Sequence, residues 1–73
     1  MVKKMNITNN IRKLRFFNNE MTQMELSEKA GASRQTIVAL EAGKYTPSLE
    51  LAFRIADALC VSIEEVFEHT MEG

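Results

Sequence analysis

A chain of 73 residues is long enough for one domain and lies close to the size at which a single hydrophobic core is just sufficient. One cysteine cannot form an internal disulfide, and the apolar runs are too short for a membrane span or a secretory signal, so we expect a cytoplasmic protein. The net charge of −1 is unevenly distributed: the first fifteen residues carry five basic side chains and no acidic one, whereas the last 26 carry six acidic side chains and one arginine.

The first helical pattern lies in the N-terminal third of the chain. Ile7, Ile11 and Leu14 are spaced along one apolar face, which predicts a first helix ending near Asn18. No stretch of the chain alternates with period two as a half-buried strand would, apart from a short extended segment at the N-terminus.

Capping signals predict the second and third helices. Thr22 and Glu25 have the spacing of a capping box, which opens the second helix, and Gly31 supplies the left-handed residue that ends it. Ser33 is the expected cap of the third helix and Gly43 its stop signal. The three-residue connection is too short for an antiparallel hairpin with a broad contact, so the two helices should cross steeply, as in a helix-turn-helix.

Two further helices complete the pattern. Ser48, after a proline, opens a fourth helix, and Ser62 with Glu65 forms a second capping-box pattern that opens a short fifth helix. The apolar face of the fourth helix is formed by Leu51, Ala52, Ile55, Ala56 and Leu59, and that of the fifth by Ile63, Val66 and Phe67. The predicted fold class is therefore all-α, with five short helices in one domain spanning residues 1–73.

The third helix has an unusual outer face. Ile37 and Leu40 can face a core. The opposite side carries an arginine, one amide and small apolar groups where a solvent-facing side would usually carry Lys and Glu. Its residues are Arg34, Gln35, Val38 and Ala39. Arginine can pair with guanine, glutamine with adenine, and small apolar groups with the thymine methyl. This face is therefore predicted to contact base edges in the major groove, although single surface residues such as a valine or an alanine can also be incidental.

The sequence resembles the helix-turn-helix of the Cro and phage-repressor type, also called the XRE family. The resemblance is carried by QMELS at 23–27, GASRQTI at 31–37 and LEAGK at 40–44, and it extends over roughly residues 6–68. It implies a lambda-repressor-like fold with a helix-turn-helix core at about residues 22–43, of the short type without a separate ligand-binding domain.

Phosphate contacts are expected on both sides of the third helix. The free N–H groups at the start of the second helix suit an anion, which makes Thr22 and Gln23 candidates. The family motif implies further contacts from Ser33, Thr36, Lys44 and Tyr45. Capping alone could explain the two hydroxyl residues Thr22 and Ser33, and a solvated turn could explain Lys44 and Tyr45.

The resemblance also implies a structural ion pair between Arg15 and Glu41, which would brace the recognition helix. Among the departures from the family pattern, Asn19 stands near the position of a usual glycine and Cys60 where glycine is frequent. Cys60 is expected to be a small buried hydrophobic residue at a helix end. A redox role would need a cationic, accessible setting, and Asp57 with the acidic residues after Ser62 argues against one.

The leading functional interpretation is a sequence-specific transcriptional regulator, a repressor, that binds double-stranded DNA as a homodimer on a palindromic operator. The alternative is an antitoxin-like interaction module that binds a protein partner through its acidic C-terminal half. An enzyme is poorly supported, because the chain has one His, one Cys and no metal-ligand or phosphate-loop pattern. No cofactor, metal ion or small-molecule effector is expected.

The C-terminal helix and tail, at about residues 62–73, are expected to form the dimer contact. This region contains more apolar side chains than a small core should need, so some are expected to contact a second subunit: Val61, Ile63, Val66, Phe67 and Met71. An extended N-terminus, Val2 to Ile7, is a further candidate for pairing with the tail.

Overall fold

The computed structural model describes residues 5–71, with Met71 described by its backbone alone. Helices and strands follow one another as β1 (Met5–Asn9), α1 (Ile11–Phe17), α2 (Gln23–Ala30), α3 (Arg34–Glu41), α4 (Leu49–Ala58), α5 (Ile63–Val66) and β2 (Phe67–Met71). The five predicted helices are all present. None of the helices in this part of the chain has the length and apolar character needed to cross a membrane.

The predicted caps of α2, α3 and α4 are confirmed. Thr22 Oγ1 accepts a hydrogen bond from the Glu25 N–H at 3.0 Å, and Glu25 Oε1 accepts one from the Thr22 N–H at 3.1 Å, which completes the capping box. Ser33 and Ser48 cap α3 and α4 in the same way, each accepting from the N–H three residues later at 3.1 Å. Gly31 ends α2 with φ 69°, a left-handed conformation that glycine adopts without steric cost.

A single core joins all five helices. Its members are Ile11 of α1, Met21 just before α2, Leu26 and Ala30 of α2, Ile37 and Leu40 of α3, Ile55 and Ala56 of α4, Leu59 just after α4, and Val66 of α5. The apolar faces predicted for α3 and α4 both point into this core, because residues three or four apart lie on the same side of a helix.

The all-α prediction is wrong at the two ends of the described chain. β1 and β2 form a two-stranded antiparallel sheet in which Met5 pairs with Met71, Ile7 with His69 and Asn9 with Phe67. Ile7 is therefore a strand residue and not part of the first helix. The sheet joins segments some sixty positions apart, and no local periodicity reveals such a pairing.

The fifth helix is shorter than predicted. α5 has four residues, and Phe67 is already extended, with φ −117° and ψ 136°, so it begins β2. The Ser62 hydroxyl donates to Glu65 Oε1 at 3.2 Å and does not accept from a backbone N–H, so the second capping box is not formed.

Two asparagines connect the sheet to the helices. Asn9 Nδ2 donates to the Leu40 carbonyl oxygen at 2.8 Å, and Asn9 Oδ1 accepts from the Ile11 N–H at 3.2 Å. The backbone N–H of Asn10 donates to the Val66 carbonyl oxygen at 2.8 Å. The start of α1, the last turn of α3 and the end of α5 are thereby held together.

Asn19 and Cys60, for which the resemblance suggested glycine at or near the position, both have left-handed backbones, with φ of 55° and 60°. Glycine suits such positions because a Cβ atom is disfavoured there. Cys60 is exposed, so the expectation of a buried cysteine is wrong. It follows Leu59, the last apolar residue of that helix face, which is buried instead.

Candidate nucleic-acid interface

Small residues set the close crossing of α2 and α3. Ser27 is buried in α2 and donates its hydroxyl to the Met24 carbonyl oxygen at 2.7 Å, so its polar group is satisfied inside its own helix. The Ala32 N–H bonds to the Ser27 carbonyl oxygen at 3.0 Å, which closes the turn around Gly31. The start of α3 thus follows α2 after three residues.

α3 presents a buried face and an open face. Ile37 and Leu40 have exposures of 0% and 1%, so they anchor the helix in the core. On the opposite side Arg34 and Gln35 are exposed and Val38 retains 40% of its surface. Ala39, the fourth predicted base-contacting residue, is half-buried beside them.

The hydroxyls at the start of α3 are joined to each other. Ser33 Oγ and Thr36 Oγ1 lie 2.9 Å apart, and Ser33 Oγ also accepts from the Thr36 N–H. Ser33 is exposed and Thr36 half-buried, so both capping and an external contact are geometrically compatible. Arg34, directly after the cap, extends from this end of the helix.

The start of α2 is partly occupied by the chain's own groups. The Glu25 carboxylate accepts from the Thr22 N–H, and this bond, with that from the Thr22 hydroxyl, holds the pKa of Glu25 below its usual range. Gln23 Nε2 donates to Glu41 Oε1 at 3.4 Å, which ties the first residue of α2 to the end of α3. Of the two predicted phosphate contacts here, Thr22 is exposed and Gln23 is half-buried.

Arg15 and Glu41 form the ion pair implied by the resemblance. Arg15 Nε lies 2.7 Å from Glu41 Oε2 and Nη2 lies 3.0 Å from Oε1, a bidentate arrangement. Arg15 Nη1 also donates to the Met21 carbonyl oxygen at 2.8 Å. The two side chains are only 15% and 10% exposed, so the last residue of α3 is fixed to α1 and to the loop before α2 in a largely desolvated setting.

An open groove of about 510 Å³ lies where α1, α2 and α3 meet. It is lined by Arg12, Arg15, Glu20, Met21, Thr22, Gln23, Met24, Arg34 and Glu41. Arg12 is exposed and is not among the predicted site residues. The basic run at the start of α1 marks Arg12 as a candidate cation, but its position beside the N-terminus of α2 appears only once α1 is packed against α2.

Lys44 and Tyr45 lie beyond the C-terminal end of α3. Gly43 has φ 75°, and the Lys44 N–H bonds to the Ala39 carbonyl oxygen at 2.9 Å, so the chain turns sharply at the end of the helix. Both side chains are exposed, and Tyr45 retains 48% of its surface. This turn therefore places Lys44 and Tyr45 directly after the end of the helix.

Most of the residues predicted for the dimer contact pack in or against the core of their own chain. Val66 is completely buried, so its assignment to a subunit interface is wrong. Val61, Ile63 and Phe67 are partly buried and pack against the core. Met71 lies in β2. The large exposed apolar side chains outside α2, α3 and the turn after α3 include Met5, Ile7, Phe16, Phe17, Leu49 and Phe53.

Comparison with known proteins places this arrangement in a family. Residues 11–66 match the family model HTH_3, described as helix-turn-helix. The chain is 51% identical over 57 residues to an uncharacterized HTH-type transcriptional regulator of Methanocaldococcus jannaschii, covering 75% of this chain and 86% of that one. It is 58% identical over 48 residues to another from Methanothermobacter thermautotrophicus, covering 64% and 70%.

Solved structures agree with the sequence comparison. A Bacteroides fragilis protein to which DNA binding has been attributed has a TM-score of 0.72 at 26% identity, covering 85% of this chain and 98% of that one. The hypothetical transcription factor NHTF from Neisseria has a TM-score of 0.69 at 28% identity, covering 77% and 63%. The chain therefore belongs to the helix-turn-helix family HTH_3, of XRE type, which is not a family of enzymes.

Proposed function

We propose that this protein is a transcriptional regulator of the cytoplasm that binds a specific sequence of double-stranded DNA through α3. The observation that carries the proposal is the open face of α3, which is exposed although the opposite face is anchored in the core by Ile37 and Leu40. The names of its relatives, which are HTH-type transcriptional regulators, point the same way.

The open face has the chemistry for reading base edges. Arg34 can donate two hydrogen bonds to guanine and Gln35 can pair with adenine, each good pair discriminating by about 1–3 kcal/mol. Val38 and Ala39 offer compact apolar surface to a thymine methyl group. Because helix-turn-helix proteins contact bases mainly with the first residues of the recognition helix, Arg34 and Gln35 are placed best for specificity.

Phosphates of the DNA backbone would lie along the two sides of α3. On one side the groove offers Arg12 together with Thr22 and Gln23 at the start of α2, where N–H groups and the helix dipole favour an anion. The pairing of Glu41 with Arg15 neutralises one of the carboxylates that line this groove. On α3 itself and beyond it, the candidate phosphate contacts are Ser33, Thr36, Lys44 and Tyr45.

A homodimer on a palindromic operator follows from the limited contact that one module makes. A single module of this size buries only about 600–1,000 Å² on DNA, which restricts affinity and specificity. Two copies related by a two-fold axis would read two half-sites about 34–36 Å apart on one side of the duplex. Repression is then the simplest outcome, because a bound dimer can exclude other proteins from the same DNA.

The second candidate function is an antitoxin-like module that binds a protein partner through its acidic C-terminal half. Leu49 and Phe53 favour it, since they lie one turn apart on α4 and are 70% and 50% exposed. Acidic neighbours on the same helix, Glu50 and Asp57, are exposed as well. Such a surface is compatible with DNA binding through α3, because α4 lies in a different part of the fold.

Selection of bound sequences from a random pool of duplex DNA tests the leading proposal. The purified protein should enrich a palindrome, and its affinity for that palindrome should fall steeply with salt, as phosphate neutralisation requires. Enrichment should disappear in the double variant Arg34→Ala/Gln35→Ala and persist in Leu49→Ala/Phe53→Ala. A purified protein that enriches no sequence and binds DNA with no salt dependence would favour the protein-interaction module instead.

A further inference from the structure

The two-stranded sheet has little support from the rest of the described fold. A sheet of two strands is marginally stable in water unless another strand or a packed face supports it. Among the helices, α5 alone makes more than slight contact with the sheet. Each strand also has one edge without a neighbouring strand in the described part of the chain, and such an edge is a template for pairing with another strand.

The register shows which backbone groups point outward. In an antiparallel pair, opposed residues alternate between those that bond each other and those whose N–H and C=O groups face away from the partner strand. The Asn10 N–H bonds to the Val66 carbonyl oxygen, so counting back along the register makes Thr8–Glu68 a bonded pair. The backbone groups of Met5, Ile7 and Asn9 therefore point to the free edge of β1.

Two of these three residues of β1, Met5 and Ile7, carry apolar side chains on one face of the sheet. Met5 and Ile7 are 48% and 49% exposed, whereas Asn9, at the inner end of the strand, is turned toward the helices by its bond to Leu40. Side chains two positions apart lie on one face of a strand. The free edge of β1 thus combines outward backbone groups with exposed apolar side chains.

The free edge of β2 is less suited to pairing with a copy of itself. Its first N–H, that of Phe67, already donates to the Ile63 carbonyl oxygen. β2 also carries the charged side chain of Glu68, so two such strands side by side would bring two carboxylates near each other. β1, from Met5 to Asn9, has no charged side chain.

We propose that the free edge of β1 is the dimer contact, and that it pairs antiparallel with β1 of a second copy about a two-fold axis at Ile7. This inference rests on the homodimer in the proposed function and names its surface. Ile7 would exchange two hydrogen bonds with Ile7 of the second copy, and Met5 would do the same with Asn9 of the second copy. Two marginal two-stranded sheets become one four-stranded sheet, and Met5 and Ile7 of both copies form a continuous apolar face.

The first experiment compares a charge on each free edge of the same sheet. Ile7→Lys places two ammonium groups opposite each other across the two-fold axis at roughly 5.5 Å between Cα atoms. His69→Lys is the matched control, because His69 is the cross-strand partner of Ile7 and its backbone N–H and C=O groups point to the free edge of β2. Sedimentation over a dilution series should show a wild-type dimer, a dissociation constant raised at least about tenfold by Ile7→Lys, and little change in His69→Lys.

The outcomes separate this inference from the proposed function. A wild type that stays monomeric overturns both the homodimer and the contact through β1. A wild-type dimer that Ile7→Lys leaves unchanged overturns the β1 contact only, and loss of the dimer in His69→Lys alone would assign the contact to β2. Far-ultraviolet circular dichroism of the dilute variants establishes that any loss of dimer is not a loss of the helices.

A cross-linking experiment tests the register without weakening the edge. Cysteines introduced at the two-fold axis would have Cα atoms roughly 5.5 Å apart, inside the range that disulfides span. In a Cys60→Gly background, Ile7→Cys should be oxidised to a covalent dimer at least about tenfold faster than Thr8→Cys, whose side chain lies on the opposite face. Equal rates for the two variants would overturn the proposed register.

Discussion

At the scale of single residues, Arg34 on the open face of α3 and Lys44 beyond the end of that helix should contribute differently to binding. Arg34→Ala should weaken binding to the best operator by about 1–3 kcal/mol and relax the preference at one position in each half-site. Affinities on operator and scrambled duplexes measure this. Equal decreases on both duplexes would make Arg34 a phosphate contact, and Gln35 would then be the main candidate for base reading. Arg54→Ala on α4 is the control.

Lys44 lies beyond the turn at Gly43, so it should contact the DNA backbone alone. Lys44→Ala should weaken binding to operator and scrambled DNA about equally, because phosphates are the same in every sequence. The slope of log affinity against log salt should fall by roughly 0.9 for each phosphate that the lysine neutralises in the wild type. A change in the selected sequence in this variant would show that Lys44 reaches a base edge.

The ion pair of Arg15 and Glu41 should contribute far more to stability than an exposed pair. Removing one partner leaves the other charge largely buried, so Arg15→Ala should lower the free energy of unfolding by about 3 kcal/mol. Arg54 and Glu50 form an exposed pair whose side chains are 54% and 69% exposed, respectively. Glu50→Ala breaks this pair and should lower the free energy of unfolding by less than about 1 kcal/mol. Urea unfolding of the two variants gives the comparison; similar decreases in stability would mean that burial does not strengthen the inner pair.

At the scale of structural elements, the capping box of α2 should make stability depend on pH. Hydrogen bonds from Thr22 lower the pKa of Glu25 in the folded state, so the ionised form is favoured by folding. This stabilisation is present above the ordinary carboxyl pKa of about 4.3 and is lost as the pH falls through the lower folded value. Wild type and Glu25→Gln should therefore differ in unfolding free energy at neutral pH and converge in acid. Glu28→Gln, in the same helix, is the control.

The elements that the sequence predicts well are those with local signals at both ends. Thr22 and Gly31 delimit α2 almost to the residue, because a cap and a left-handed stop act within one turn of the helix. Ser33 and Ser48 locate α3 and α4 for the same reason. The open side of α3 can likewise be read from its periodicity, since Ile37 and Leu40 fix which side is buried.

The features that the sequence does not predict depend on partners that are distant along the chain. β1 and β2 stabilise each other across the whole chain, and neither strand has a clear alternating pattern of its own. The periodic pattern places Val66 on the apolar face of the fifth helix but does not show what covers that face. The pattern therefore cannot distinguish a core residue from a subunit contact. The place of Arg12 beside α2 depends on how α1 packs, which the local sequence does not specify.

At the scale of the whole molecule, the dependence of operator binding on protein concentration should be that of a dimer whose formation is coupled to binding. If two copies must associate before they read both half-sites, dilution below the dimer dissociation constant should make binding curves steeper than a single-site curve. A covalently tandem version of the chain should bind with a single-site curve at lower total concentration. Identical curve shapes for the two proteins would show that each half-site is bound independently.

The hydrogen bond from Asn9 to the Leu40 carbonyl oxygen has a consequence for the operator. It fastens β1 to the last turn of α3, so in a dimer joined through β1 the angle and distance between the two recognition helices would be set by the protein. One extra base pair rotates a half-site by about a tenth of a turn around the duplex. The number of base pairs between the half-sites then becomes as much a part of the recognised sequence as the bases themselves.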